Sequence, residues 1–264
     1  MKSKSHSRAK TASGGATISK PAKSRLDVLL VERGLVTSRE RAQALLLAGQ
    51  VRVNGARAEK PGAQIATSAR IEIVGEMLRY SSRGGLKLEG ALLDFTVSPA
   101  GHICLDVGSS TGGFTDCLLQ HGARKVFAVD VTTNQLDWKL QQDSRVVMIE
   151  RNARYLQPSD LAEAPDFVTM DVSFISAAKI LPAIAALAAP AADLLILVKP
   201  QFELDRGDIG KGGIVRDPAL HEKAVERVRI AADNARLCVL GAKPSRLAGA
   251  EGNREFFLHA RKRV

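Results

Sequence analysis

The sequence predicts an α/β protein, a mostly parallel sheet of seven strands with helices on both faces, preceded by a small α+β unit. Three observations carry this reading. From about residue 86 onward, short apolar runs alternate with helical stretches, the pattern of strands joined by crossover helices. Residues 24–55 instead read helix, helix, hairpin. The charge divides at the same seam: residues 1–85 hold 16 Lys/Arg against 6 Asp/Glu, whereas 86–264 hold 22 of each. The formal net charge of +10 therefore belongs to the N-terminal third. A basic module joined to a neutral one suggests a polyanion-binding part that delivers a separate chemical part, with nucleic acid the commonest partner and membrane lipid its competitor. With 264 residues, 45% of them apolar, both parts can build packed cores.

Residues 1–23 are Lys, Ser, Ala and Gly with almost nothing to bury, and a disordered basic tail is expected there. In the next stretch Leu26, Leu29 and Leu30 mark one helix face, and Gly34 can end that helix in a left-handed conformation. Thr37 with Glu40 fits a capping box for a second helix, which turns Ala42, Leu45 and Leu46 inward and stops at Gly49. Val51 and Val53 alternate before an Asn54-Gly55 turn. Arg25, Arg33, Arg39, Arg41 and Arg52 are left over from this core pattern. The stretch YSSRGGLKLEGAL opens the second region, and its glycines read as a mobile joint, Arg83, Gly84 and Gly85, running into the helix that carries Lys87. The boundaries expected are a tail over 1–23, the small unit over 24–80, a linker over 81–86 and the large domain over 87–264.

In that domain the strand candidates are HICLDV, KVFAVDV, RVVMIE, DFVTMDV, DLLILVK, RLCVLGA and EFFLHA. The short connection between the last two predicts an antiparallel edge. The apolar stretch 180–198 approaches the ~20 residues of a membrane span, but Pro182, Pro190 and Asp193 break it into a helix, a turn and a buried strand. Cys104, Cys117 and Cys238 form no CxxC and sit among apolar neighbours. They read as core residues in a reducing compartment, and no metal site is expected.

The chemistry concentrates at LDVGSSTGGFTDCLL, residues 105–119, a strand, a Gly-rich turn and a helix. Gly108, Gly112 and Gly113 allow close approach to a ligand, and Asp130, ending the next strand, suits ribose hydroxyls. A nicotinamide dinucleotide shares that geometry. The spacing G-x-x-x-G-G and the carboxylate of Asp106 ahead of it favour S-adenosylmethionine, which has no pyrophosphate and carries an amino group. Asp171 and Lys199 end their strands, on the face where such sheets bind ligands. A lysine closing a run as apolar as Leu194 to Val198 must reach solvent or find a partner. The charged, glycine-rich stretch 202–218 beside it could close over the site or touch RNA.

Two resemblances sharpen these expectations. RLD, SR and the closing G-x-V-x-VNG of residues 24–55 resemble the S4 RNA-binding domain. This implies docking on structured RNA through backbone contacts by Arg25, Arg33, Arg39, Arg41 and Arg52, with Arg83 beside them. SRGGLKL, LDVGSSTGGFT, an Asp after the fourth strand, VKPQFE, KGGIVRDP and GN-x-EF, in that order behind an S4 domain, resemble the TlyA family of ribosomal RNA 2′-O-methyltransferases. The resemblance runs from about residue 24 to the C-terminus and implies a Rossmann-like, FtsJ-type methyltransferase sheet. It also implies a Lys-Asp-Lys-Glu tetrad on Lys87, Asp171, Lys199 and Glu255, and methyl transfer to a cytidine 2′-hydroxyl. The expected cofactor contacts are Asp106, Gly108, Ser109, Ser110, Gly112, Gly113, Phe114, Asp130, Asn152 and Asp171. The expected partner is ribosomal RNA within ribosomal subunits, met by a cytoplasmic monomer with no membrane association. The alternatives are a noncatalytic RNA-binding assembly factor and a hemolysin-like membrane-active protein. A nicotinamide-dependent oxidoreductase has the wrong glycine spacing and no use for an S4 module.

Overall fold

The computed structural model describes residues 22–36, 39–47, 49–58, 60–74, 79–249 and 252–264, the side chains of 40, 41, 44 and 211 excepted. The chain divides into two compact units, Met1–Glu76 and Met77–Val264.

In the first unit, β1 (Lys23–Arg25) leads into α1 (Leu26–Glu32), followed by α2 (Arg39–Leu47). Leu26, Leu29 and Leu30 from α1 meet Ala42, Leu45 and Leu46 from α2 in a buried cluster, the i, i+3, i+4 stripe that an amphipathic helix turns to its neighbour. Gly34 and Gly49 follow the two helices with φ of 66° and 70°. β2 (Val51–Val53) and β3 (Ala56–Ala58) form the hairpin, with positive φ at both Asn54 and Gly55 as a tight primed turn requires. Two further strands, β4 (Gln64–Ala66) and β5 (Ile71–Ile73), pair with β1 and β2 respectively. Lys23, expected at the end of the tail, belongs to β1; residues 1–21, on which the rest of that expectation falls, lie outside the described residues, as do Thr37 and the Glu40 side chain of the expected capping box and the Arg41 side chain.

The second unit opens with α3 (Arg83–Phe95) and continues through β6 (Ile103–Val107), α4 (Gly113–Gln120), β7 (Lys125–Asp130), α5 (Trp138–Gln141) and β8 (Val146–Glu150). β9 (Phe167–Met170), α6 (Leu181–Leu187), β10 (Asp193–Val198), α7 (Pro200–Glu203), α8 (Pro218–Asn234), β11 (Leu237–Pro244) and β12 (Phe256–Lys262) complete it. The strands form one sheet in the order β11-β12-β10-β9-β6-β7-β8, with β12 antiparallel to both neighbours and the β10-β9-β6-β7-β8 pairs parallel. Both faces are covered. Leu194, Ile196 and Val198 pack toward α6 and α8, while Leu195 and Leu197 pack toward α3 and α4. Each fully buried side chain of this kind contributes roughly 1.5–3 kcal/mol.

The expected antiparallel edge is present: the last two strands, β11 and β12, pair antiparallel at one side of the sheet, with β12 lying between β11 and β10. Two expectations are corrected here. Cys104 and Cys117 are buried but Cys238 is exposed, because alternate side chains of the edge strand face solvent. The linker over 81–86 does not exist as a mobile joint. Ser82 caps α3, its hydroxyl accepting from the Gly84 N–H, and residues 83–86 are helical. A Cβ at Gly85 would collide with the Tyr80 ring, and one at Gly113 with the Ser82 hydroxyl. The glycines are there so that α3 can pack closely on its surroundings and on α4, not for freedom of motion.

Candidate active site

The parallel strands all end on one side of the sheet, and the sequence places a charged group at each end that matters. Asp130 closes β7, Asp171 follows β9 and Lys199 follows β10. Because β12 runs the other way, its beginning lies on that same side. Val198 pairs with Phe256 in the ladder, so Lys199 and Glu255 are each one step beyond the last pair. Lys87 comes in from the second turn of α3.

These side chains form two ion pairs. Lys87 Nζ donates to Glu255 Oε2 at 2.6 Å, with the lysine side chain 12% and the glutamate 2% exposed. Lys199 Nζ lies 2.5 Å from Asp171 Oδ1 and donates to Ser173 Oγ at 2.9 Å. Burying four ionisable groups in one place is costly unless each finds an opposite charge, and here each does. Glycine makes room for the arrangement: a Cβ at Gly249 would strike the Glu255 carboxylate.

Two cavities of about 260 and 500 Å³ share Gly108, Ser110 and Asp171. The smaller also touches Ser82, Arg83, Lys87, Ser109, Gly113, Phe114 and Gly249. The larger is bordered by Asp130, Asn152, Val172 and Phe174. Gly108 has φ of 85°, and a Cβ there would run into the Asp171 backbone carbonyl. Asp130 accepts from the Ser110 N–H at 2.9 Å through one oxygen and from the Thr132 N–H at 3.3 Å through the other, leaving lone pairs for ribose hydroxyls. Asn152 uses its oxygen to cap a single helical turn, accepting from the Arg154 N–H at 3.0 Å, and its amide donors remain for a ligand. A trough with a paired amine and a glycine turn at one end and acidic and amide groups at the other fits an elongated amino-acid nucleoside such as S-adenosylmethionine.

Two expected cofactor contacts are placed differently. Asp106 is fully buried, its oxygens accepting from Thr115 Oγ1 at 2.6 Å and Thr169 Oγ1 at 3.0 Å, and neither cavity reaches it. A strand-end acid can face either side of its sheet, and this one faces inward, where it ties α4 and β9 beneath the glycine turn. Gly112, with φ of 90°, borders neither cavity; it makes room for Leu136 and Leu140. Burial pushes the Asp106 carboxyl up to about 7, with Asp171 adding to the rise and the two threonine hydroxyls opposing it. A folded-state value above the ordinary 3.8 means that this group costs stability as pH climbs from about 4 to about 7. Asp106→Asn removes that titration while each threonine hydroxyl can rotate to suit. The melting temperature of the variant relative to the parent is therefore expected to rise between pH 4 and 7 and stay level above, as a calorimetric pH series would read.

The arginines expected to touch RNA divide similarly. Arg25 and Arg39 pair with Asp27. The Arg33 guanidinium donates to the backbone carbonyls of Ala69 and Thr67, so it fastens the end of α1 to a turn. Arg52 is exposed on β2 and Arg83 on the rim of the smaller cavity. The 202–218 stretch is tied at both ends: Glu203 accepts from Ser176 Oγ and the Ala177 N–H, both at 2.6 Å, and Asn253 bridges the Val215 N–H and the Gly213 carbonyl.

Sequence reasoning missed Phe174. Its ring is 92% exposed, its φ is 65°, and it borders the larger cavity with Phe202 at 5.4 Å between centroids. The one signal for it in the sequence is an aromatic three residues after Asp171 that the core pattern does not require.

Known protein families match both units of the chain. The profile of the FtsJ-like methyltransferase family matches residues 80–262 and that of the S4 domain residues 24–71. A candidate rRNA methyltransferase of Bacillus subtilis, YqxC, is 51% identical over 90% of this chain and 85% of its own length. The 16S/23S rRNA (cytidine-2′-O)-methyltransferase TlyA of Mycobacterium tuberculosis is 45% identical over 90% of each chain. A solved structure of a candidate hemolysin from Streptococcus thermophilus superposes with a TM-score of 0.72 at 46% identity, covering 92% of this chain and 90% of that one. With an S4 domain ahead of an FtsJ-like methyltransferase domain that uses S-adenosylmethionine, the chain belongs to the TlyA family.

Proposed function

We propose that the protein transfers a methyl group from S-adenosylmethionine to the 2′-hydroxyl of a cytidine in ribosomal RNA, acting as a monomer in the cytoplasm on assembled or assembling subunits. The observation that carries this is the pair of largely shielded lysine-carboxylate contacts, Lys87–Glu255 and Lys199–Asp171, of which Lys87 and Asp171 line one cavity together with the glycine turn. When bound, S-adenosylmethionine supplies an electrophilic methyl carbon whose bond to sulfur breaks as the ribose oxygen bonds to it, the leaving group departing neutral. The protein then has two tasks, aligning the hydroxyl and removing its proton, and alignment alone can supply roughly 7–11 kcal/mol. Lys199 acts as the base, held by Asp171 and Ser173; Lys87 and Glu255 orient the ribose across from it. Gly108, Ser109, Ser110, Gly113, Phe114, Asp130, Asn152 and Asp171 hold the cofactor, and the exposed ring of Phe174 offers a face on which a nucleobase can stack. In the first unit, Arg25, Arg39 and Arg52 meet RNA phosphates.

The membrane-active alternative is less well supported, since among the described residues no helix is long and apolar enough to cross a membrane. The test is transfer of labelled methyl from S-adenosylmethionine to small and large ribosomal subunits isolated from cells lacking the protein. Label at a cytidine 2′-oxygen is the expected result. Cofactor binding without label on either subunit would overturn the substrate assignment and favour the noncatalytic assembly role.

A further inference from the structure

Asp27 is an unusual residue to find within a basic RNA-docking unit. Its side chain is fully buried, yet it is an anion. Five donors converge on it. Arg25 Nε and the Val28 N–H donate to Oδ1, both at 3.0 Å; Arg25 Nη2 at 2.9 Å, Arg39 Nη2 at 3.1 Å and Gln43 Nε2 at 3.4 Å donate to Oδ2. The backbone beneath is fixed as well, since the Asp27 N–H donates to the Pro61 carbonyl at 3.0 Å and the Arg25 guanidinium lies against Gly62. Arg25 comes from β1 and Arg39 from the first turn of α2, so two separate elements bring their guanidiniums to the same oxygen atom. Neither arginine is buried: their side chains are 45% and 53% exposed.

A buried carboxylate that engages only part of each guanidinium leaves N–H groups on two half-exposed cations that are tethered to the same oxygen. Arginine's planar fork loses little entropy per hydrogen bond once it is held in this way. We infer that Asp27 is a positioning residue for RNA recognition, an internal anion that pre-organises Arg25 and Arg39 as a phosphate clamp. The inference rests on the RNA-binding reading of the first unit. The same contacts, Arg25 foremost, hold the Asp27 carboxyl far below the usual carboxylate range, so the clamp stays assembled wherever ribosomal RNA is folded.

The inference makes a prediction opposite in sign to simple charge counting. Asp27→Asn removes a negative charge from a basic surface. If the arginines acted only through net charge, RNA binding would tighten and its salt dependence would hold or steepen. If Asp27 positions them, binding weakens about tenfold, as pre-organisation is lost, and the slope of log K against log salt becomes shallower because fewer phosphates are neutralised. The measurement is the affinity of the full-length protein for purified ribosomal subunits from cells lacking it, across a salt series. Cofactor affinity and the melting curve are followed alongside. Weaker binding with a shallower slope, at unchanged cofactor affinity and a folded baseline, is expected. Equal or tighter binding would overturn the positioning role. Should Asp27→Asn melt at the assay temperature, Arg25→Lys is read instead: it keeps the charge but cannot make the two-pronged contact. The same weakening is expected, and parental affinity would overturn the inference. Failure of the parent protein itself to bind either subunit would instead remove the RNA reading on which the inference stands.

Discussion

Lys199→Arg is expected to lower methyl transfer by about 10³-fold, within the 10²–10⁴ range typical of a lost general base, while leaving cofactor affinity within a few-fold of the parent. The side chain sits where β10 ends, 2.5 Å from Asp171 Oδ1 and 2.9 Å from Ser173 Oγ. Arginine retains the positive charge and can keep the contact to Asp171, so a purely electrostatic or structural role for Lys199 would survive the change. It cannot take a proton from a ribose hydroxyl, because guanidinium stays charged throughout the accessible pH range. The readout that separates the roles is single-turnover methylation measured beside cofactor affinity, because a base is needed only in the chemical step whereas a cation that merely positions can be replaced by arginine. Near-parental turnover in Lys199→Arg would remove the base assignment and leave Lys199 as a positioning cation.

The seven strands of the catalytic unit are legible in the sequence because each is a short, dominantly apolar run bounded by turn residues, and the alternation with helices fixes their class. The ends of β9 and β10 are legible for the same reason, and with them the positions of Asp171 and Lys199. What the sequence does not carry is direction and depth. Asp106 and Asp130 both belong to strands beside the glycine turn, yet one is sealed beneath it and the other borders the trough, a difference set by which way each side chain faces. Gly84 and Gly85 suggest mobility because glycine's small size and its conformational freedom are indistinguishable in one dimension; the Tyr80 ring against Gly85 shows that size is what matters. β1, β4 and β5 are three residues each and, unlike the equally short β2, have no Asn-Gly turn beside them to mark a strand end. Asp27 is visible as part of RLD but not as a buried anion, since burial of a charge depends on partners as distant in sequence as Arg39 and Gln43.

Gly108→Ala is expected to reduce methyl transfer by about 10²-fold or more, the scale on which a displacement of ~1 Å at a reacting group acts, and to weaken cofactor binding as well. Two penalties coincide at this position. The backbone has φ of 85°, a region that costs a non-glycine residue roughly 1–2 kcal/mol. The added methyl would also meet the carbonyl of Asp171, a backbone atom that cannot swing aside as a flexible side chain could. Relief must come from moving the glycine turn or the end of β9, and either motion displaces Asp171, which borders both cavities and holds Lys199. Gly101→Ala separates strain from crowding. Gly101 has φ of 78°, and a methyl group there would find nothing within 4 Å, so it carries the same conformational cost without a collision. Thermal melts and methylation rates of the two variants side by side decide the matter. Comparable losses of stability with activity lost only in Gly108→Ala would show that the turn matters for the space it leaves beside Asp171; equal losses of activity in both would reduce Gly108 to a residue needed only for folding.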